Sequence, residues 1–468
     1  MRYIVFMLGL SVATVAAAPV ATPVDIRQDL TQPQVKQAEE ILQQPIKHPS
    51  TSPSMTSEEL LGHPDLLQNA LDTAVEQQNT ENIRFLLPLY RRLTQEKQDT
   101  VLVDYAEALL LQSDGQHTEA QQRFHSLLAA HPDYAPIRLQ LAHTLSQDGQ
   151  QREAAAEIGK IRQTSELPPP VITYLDQFGQ YLKSERAWKF DAGLSYLQES
   201  NVGRVPEQRT YGNWRFSEPK KAHGIGYEFS ARKTVPVKGH WAARVQVSGY
   251  GKFYWDAHDY DDLILRTETG GVWRSAKREL SLSPFYEKRW YGTEPYSNHV
   301  GGVVRYSEIL SPQWQFHGAW QSGNKKHDDR KYLDGNNHSL SLSLLQRSSP
   351  KQTFIYGIDG GIEQARDDSE SYRRYGVRTT WMRDWGQPQA LSTSVSFAAQ
   401  RRHYQAPDFF NIKREDTEYF TRVSASHKKL SWKGFTPRVN WTWSHIHSNH
   451  FYYRHDRHRV FLDVTKQF

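Results

Sequence analysis

The chain has 468 residues, 38% hydrophobic and 23% charged, with mean hydropathy −0.72, and beyond its N-terminus no apolar run is long enough for a transmembrane helix. A bundle of membrane helices is excluded, yet 13 Trp, 24 Tyr and 19 Phe give it many aromatic side chains, a pairing that suits a membrane β-barrel, where lipid-facing residues alternate with polar ones. Cysteine is absent, which excludes disulfides, thiolate metal sites, a Cys nucleophile and an acylated N-terminal Cys.

In chain order, Arg2, the apolar stretch Tyr3 to Val15 and the small residues Ala16, Ala17 and Ala18 predict a secretory signal peptide over residues 1–17. Residues 18–63 are rich in Gln, Pro, Thr and Ser and read as a flexible tether, with one short helix around Val35 to Leu42. Over residues 64–186 apolar side chains recur at spacings of three and four, the helical period. Ala108, Gly115 and Ala120 return 34 residues later as Ala142, Gly149 and Ala154, and Phe124 is matched by Ile158. That period and those small residues resemble the tetratricopeptide repeat, whose paired helices pack closely where side chains are small. A less regular pair lies upstream, from Glu59 to Arg92. Residues 18–186 hold 14 Lys and Arg against 23 Asp and Glu, whereas residues 187–468 hold 42 against 29. In a secreted chain the basic half points to lipopolysaccharide phosphates or loop solubility, and no nucleic-acid partner is expected.

After Trp188 the period becomes two. Leu340, Leu342 and Leu344 alternate with Ser339, Ser341 and Ser343; Leu391, Val395 and Phe397 with Ser392, Ser394 and Ser396; Val439, Trp441 and Trp443 with Asn440, Thr442 and Ser444. A soluble sandwich shares this period, so the connections must decide. Tight turns at Lys238–Gly239, Ala276–Lys277, Ser311–Pro312, Ser349–Pro350, Gly386–Pro388 and Lys433–Gly434 interleave with longer links at Asn201–His223, Gln321–Gly335, Arg401–Glu415 and His447–Asp456. Short inner turns and long outer loops are the habit of outer-membrane barrels. The expected fold is α+β and multidomain: a periplasmic α-helical tetratricopeptide-like solenoid over residues 64–186, followed over residues 187–468 by a 14-stranded antiparallel transmembrane β-barrel. An even strand number returns the C-terminus to the periplasm, and Phe468, in phase with Val460, Leu462 and Val464, resembles the terminal signal read by the barrel-assembly machinery.

No residue spacing carries a catalytic constellation, so the chain is read as a non-enzyme without a cofactor. His445, His447 and His450 are weak metal candidates: they are dense, but no Asp or Glu accompanies them at a ligand spacing, and a solvated loop accounts for them. Arg244, Arg266, Glu268 and Glu287 would be costly against lipid and are expected to face a wet lumen. Gly270–Gly271, Gly301–Gly302 and Gly360–Gly361 fall inside strands, where they permit bends or close packing.

Three stretches carry a family resemblance: Lys252-Phe-Tyr-Trp-Asp-Ala-His-Asp-Tyr-Asp-Asp262, Pro284-Phe-Tyr-Glu-Lys-Arg-Trp-Tyr-Gly292, and Gly434-Phe-Thr-Pro-Arg-Val-Asn440 with Ser448-Asn-His450. In this order they resemble the Slam family of surface lipoprotein assembly modulators, the outer-membrane component of type XI secretion. Glu199-Ser-Asn-Val-Gly-Arg204 departs from the family form, with Gly203 in place of a second Asn. The resemblance implies translocation of secreted or lipidated client proteins, including soluble haem-scavenging proteins, with periplasmic chaperones, the barrel-assembly machinery and outer-membrane lipid as further partners. By repeat position it implies a client-binding groove at Leu102, Tyr105, Leu109, Gln112, Leu139, His143 and Gln147. Two other readings stay open. One is a receptor or host-contact protein acting through its outer loops, and the other a repeat-plus-barrel polysaccharide export pore, which should have a longer array and a lumen of one charge.

Overall fold

The computed structural model describes residues 56–163, 167–206, 208–211, 214–386, 391–432 and 435–467. The expected signal peptide, most of the expected tether and Phe468 lie outside them. The last part of the expected tether is helical: α1 (Ser57–Gly62) opens on a capping box in which Thr56 and Glu59 satisfy each other's backbone N–H groups.

Seven further helices follow: α2 (Pro64–Glu76), α3 (Thr80–Tyr90), α4 (Thr100–Ser113), α5 (His117–Ala130), α6 (Ala135–Gln147), α7 (Gln151–Arg162) and α8 (Pro169–Glu185). The two sequence repeats are the hairpins α4–α5 and α6–α7. Ala108, Ala120, Ala142 and Ala154 are fully buried where the helices cross, and any larger side chain there would push the pairs apart. Phe124 and Ile158 fill equivalent positions, and one continuous core runs from Leu67 to Leu182, closed at its end by Leu175, Phe178 and Leu182 of α8. Each hairpin turns through a glycine with positive φ, +74° at Gly115 and +80° at Gly149, a conformation that glycine adopts without a Cβ penalty.

Fourteen strands close into a barrel, each paired antiparallel with its neighbours: β1 (Lys189–Glu199), β4 (Ala222–Lys238), β5 (Trp241–Tyr254), β6 (Asp262–Arg274), β7 (Arg278–Tyr291), β8 (Glu294–Ile309), β9 (Trp314–His327), β10 (Gly335–Ser349), β11 (Gln352–Ala365), β12 (Tyr372–Trp385), β13 (Leu391–Pro407), β14 (Lys413–His427), β15 (Thr436–Ser448) and β16 (His455–Gln467). A separate two-stranded sheet, β2 (Thr210–Tyr211) with β3 (Trp214–Arg215), lies in the first outer loop. Exposure decides between sandwich and membrane barrel. Leu340 and Val439 are 47% and 54% exposed, whereas Ser341, Ser343 and Asn440 are at most 4% exposed. The apolar faces point outward and the polar ones inward, the inverse of a soluble sandwich.

The strands run further than the apolar alternation does. β9 continues to His327 and β13 to Pro407, so the outer links expected at Gln321–Gly335 and Arg401–Glu415 shrink to residues 328–334 and 408–412. Beyond the lipid the ladder persists in water, where no greasy face is required, and the sequence signal fades before the pairing does. One outer link is as tight as the inner ones: Gly292 and Thr293 alone join β7 to β8, both with positive φ. Inward-facing Gly270 and Gly301 have a neighbouring strand's backbone against them, and a Cβ at either would collide with the carbonyl of Leu282 or Ser322.

Candidate functional site

All four expected lumenal charges take part in ion pairs on the inner wall. The Arg266 guanidinium donates to Glu268 (2.7 Å) and to Gln321 (2.9 Å), lies 3.4 Å from Glu287, and stacks over the Phe285 ring at 3.8 Å. Arg305 donates twice to the same Glu268, at 2.7 and 3.0 Å. Nearer the periplasm Arg244 donates to Glu279 (2.8 Å), which also accepts from Arg274 (2.7 Å). The sequence reading missed further pairs of the same kind: Asp359 with Arg378, Arg402 with Glu418 (3.0 Å), Arg414 with Asp416 (2.6 Å), and Arg422 with Asp463 (3.0 Å). Each residue sits in the inward phase of its strand, which is the signal that could have found it. Neutralised charge of both signs makes a wall that is wet but has no strong affinity for one sign of ligand.

At the outer mouth, the first outer loop folds across to the last two. Tyr211 stacks on Phe451 with centroids 4.0 Å apart and planes 8° from parallel, and Phe216 meets Phe451 and Tyr452 at 5.9 and 5.5 Å. Phe410 closes the cluster edge-on to Tyr211 at 5.6 Å. The structure revises the histidine reading here. His450 is no solvated loop residue: it is 1% exposed, with Nε2 2.8 Å from Asp408 and its ring against Phe410, Phe451 and Tyr453. His445 stacks on Trp443 and pairs with Asp456 (3.2 Å), while His447 is exposed on the same strand. The three do not converge, and among the described residues no three potential ligands are gathered for a metal.

The groove expected on the helical domain is partly core. Leu102 and Leu109 are 5% and 3% exposed and belong to the packed interior, and Leu139 packs against it. Tyr105 lies edge-on to Phe124 at 6.2 Å, and burial pushes its phenol pKa up. His143 is covered by α8, edge-on to Phe178 at 6.4 Å, and burial pulls its imidazole down to about 4. Gln112 Nε2 donates to His143 Nδ1 across 2.9 Å, which suits a neutral ring. Only Gln147 is openly exposed. In so short an array the groove positions serve to bury one hairpin against the next and against the terminal helix, which repeat position alone does not reveal.

The helical domain is fastened to the barrel's inner turns. The backbone carbonyl of Asp148 and His240 Nδ1 are 2.9 Å apart, and the Asp148 carboxylate accepts from the Ala276 N–H (3.2 Å). Glu153 accepts from the Gly239 N–H (2.7 Å), and Arg152 donates to the Val237 carbonyl (2.6 Å). Glu185 of α8 lies 3.9 Å from Arg274, itself part of the Glu279 group on the inner wall. A continuous set of polar contacts thus leads from the solenoid to the lumen.

Comparison with known proteins follows this division. The family described as surface lipoprotein assembly modifier matches residues 188–468, and its N-terminal TPR repeats match residues 53–158. The surface lipoprotein assembly modifier 1 of Haemophilus influenzae is 32% identical, covering 89% of this chain and 87% of its own length. The protein of that name from Neisseria meningitidis is 30% identical, covering 88% and 84%. A hemophilin secretion modulator of Acinetobacter baumannii is 24% identical, covering 87% and 86%.

Proposed function

The chain belongs to the surface lipoprotein assembly modifier family, and from that premise we propose that it is an outer-membrane translocator. It delivers specific periplasmic client proteins, surface lipoproteins or soluble haem-scavenging proteins, to the cell surface or medium. The observation that carries this reading is the fastening of the solenoid through Asp148, Glu153 and Arg152 to the turns of the barrel's inner rim. A client held by the solenoid would stand at the entrance of the wall it has to pass. Periplasmic chaperones would present the client unfolded, the barrel-assembly machinery would install the barrel, and outer-membrane lipid would surround it. The chain acts by binding and passage rather than by chemical turnover. Paired charges along the lumen favour a polypeptide of mixed charge over an acidic polysaccharide, which a basic lining would suit better.

The test is surface shaving. Intact cells with and without the chain are treated with protease, and released peptides are identified by mass spectrometry. At least one exported protein should lose protease sensitivity when the chain is deleted and regain it on complementation. An unchanged shaved proteome would overturn the reading.

A further inference from the structure

The barrel wall is not evenly closed. β1 and β16 pair from Asp191–Gln467 to Ser195–Asp463 and stop there. On its other edge β1 pairs with β4 over its whole length, from Lys189–Arg232 to Glu199–Ala222, and β16 pairs with β15 out to Ile446–His455. Continuing the register would set Tyr196 opposite Leu462 and Glu199 opposite Arg459, yet among the described residues the ladder between the two strands does not reach them. The seam is zipped in its periplasmic half and parted in its outer half.

Two observations mark this gap as more than a frayed end. Its outward side chains are apolar and exposed, Tyr196 by 45%, Val460 by 68% and Leu462 by 49%, so the two bare strand edges lie in the lipid-facing wall. Backbone N–H and C=O groups left unpaired there are costly, and an open edge is a template for another strand. On the lumenal side only side chains bridge the gap. The Glu199 carboxylate lies 3.4 Å from Arg457 and 3.7 Å from Arg459, holds Lys252 at 3.0 Å, and accepts from the Tyr254 hydroxyl at 3.0 Å. Arg457 also donates to the Asn201 carbonyl (3.3 Å), which ties the base of the first outer loop to β16. Nε and Nη2 of Arg459 are buried without a hydrogen-bond acceptor.

We propose that the outer half of the β1–β16 seam is a lateral port that takes an extended, amphipathic β-strand of the client. The strand pairs with the bare edges, and a carboxylate on its inner face meets Arg457 and Arg459. This rests on the translocator reading and adds the route. A strand is the occupant that fits, because it alone supplies backbone donors and acceptors along both edges, with an apolar side for lipid and a polar side for the lumen. An acyl chain supplies none. Glu199 then acts as a clasp that a client carboxylate displaces.

The absence of cysteine makes the test clean. Tyr196→Cys with Leu462→Cys places a disulfide across the gap, and Val377→Cys with Ala399→Cys, register partners on β12 and β13, places one across an ordinary seam. In cells producing the full chain, the proteins found by shaving should vanish from the surface when the first pair is oxidised and return on reduction, with no change for the second pair. Undiminished display with the gap crosslinked overturns the port and leaves the translocator reading intact; display that never depended on the chain overturns that reading instead. Should the disulfide not form, Leu462→p-benzoylphenylalanine serves as a second probe. Photo-adducts with a displayed protein are expected, and adducts solely with lipopolysaccharide or with a second copy of this chain overturn the proposal.

Discussion

Gly149 and Arg274 are in backbone contact across the junction of solenoid and barrel: a Cβ added to Gly149 would stand 2.7 Å from the Arg274 carbonyl oxygen. Its repeat equivalent, Gly115, meets only the flexible end of Lys277 at 3.6 Å. Gly149→Ala should therefore loosen the domain joint, whereas Gly115→Ala should carry mainly the backbone cost of its left-handed conformation, about 1 kcal/mol. Limited proteolysis near Arg186 checks this. The Gly149 variant should be cut faster while its barrel keeps its heat-modifiable migration on gels, and client display should fall.

A second outcome concerns pH. Burial holds His143 at about 4 in the folded chain, below the ordinary value near 6.5, so the unfolded chain takes up the proton first. The stabilisation is present in full above about pH 6.5 and is lost as pH falls toward about 4, on the order of 3 kcal/mol in total. Burial lowers His117 as well, with the same sign. Thermal unfolding of the helical signal should move to lower temperature between pH 7 and pH 5, and His143→Leu should flatten that dependence.

Removing one member of the lumenal group should cost more than removing a surface pair. Glu268→Gln keeps an accepting oxygen but removes the negative charge that Arg266 and Arg305 share, a loss of about 3 kcal/mol for breaking a buried ion pair. Arg278→Ala, at a guanidinium 57% exposed, should leave stability unchanged. The temperature at which the folded band disappears in a heat-modifiability series measures both.

The aromatic closure of the mouth gives a fourth. Tyr211→Ala removes the parallel stack on Phe451, worth about 1 kcal/mol. Planar-bilayer recordings should show longer open times, and cells should become more sensitive to bulky antibiotics. Recordings identical to wild type would show that the first outer loop does not gate the mouth.

Core and surface separate on the solenoid. Leu109→Ala should destabilise it by about 2 to 4 kcal/mol, since Leu109 is 3% exposed. Gln147→Ala, at an exposed position, should leave thermal unfolding unmoved. Reduced client capture by the Gln147 variant with unchanged unfolding would mark a contact residue.

The legible part of this chain was its local periodicity. Leu–Ser alternation around Leu340 told strand from helix, and the 34-residue return of Ala108, Gly115 and Ala120 told repeat from bundle. Arg266 and Glu268 were expected off the lipid face because charge against lipid is costly, and the structure pairs them with each other. What stayed hidden was any relation set by register between distant strands or by docking of domains. Glu199 and Arg457 are far apart in sequence, and their meeting depends on how the barrel closes. Leu102 and Leu109 looked like groove residues because the repeat pattern carries no record of which neighbours bury them. The outer loops looked longer than they are because pairing above the membrane leaves no apolar signature.

The most direct measurement is transfer across a defined membrane. The full chain is reconstituted into proteoliposomes, a protein identified by surface shaving is supplied unfolded with a chaperone on the solenoid side, and its protection from external protease is followed. Protection is expected in vesicles that carry the chain, and none in empty vesicles or in vesicles holding the Tyr196→Cys, Leu462→Cys barrel in its oxidised form. Equal protease sensitivity with and without the chain would mean that the chain does not translocate the protein.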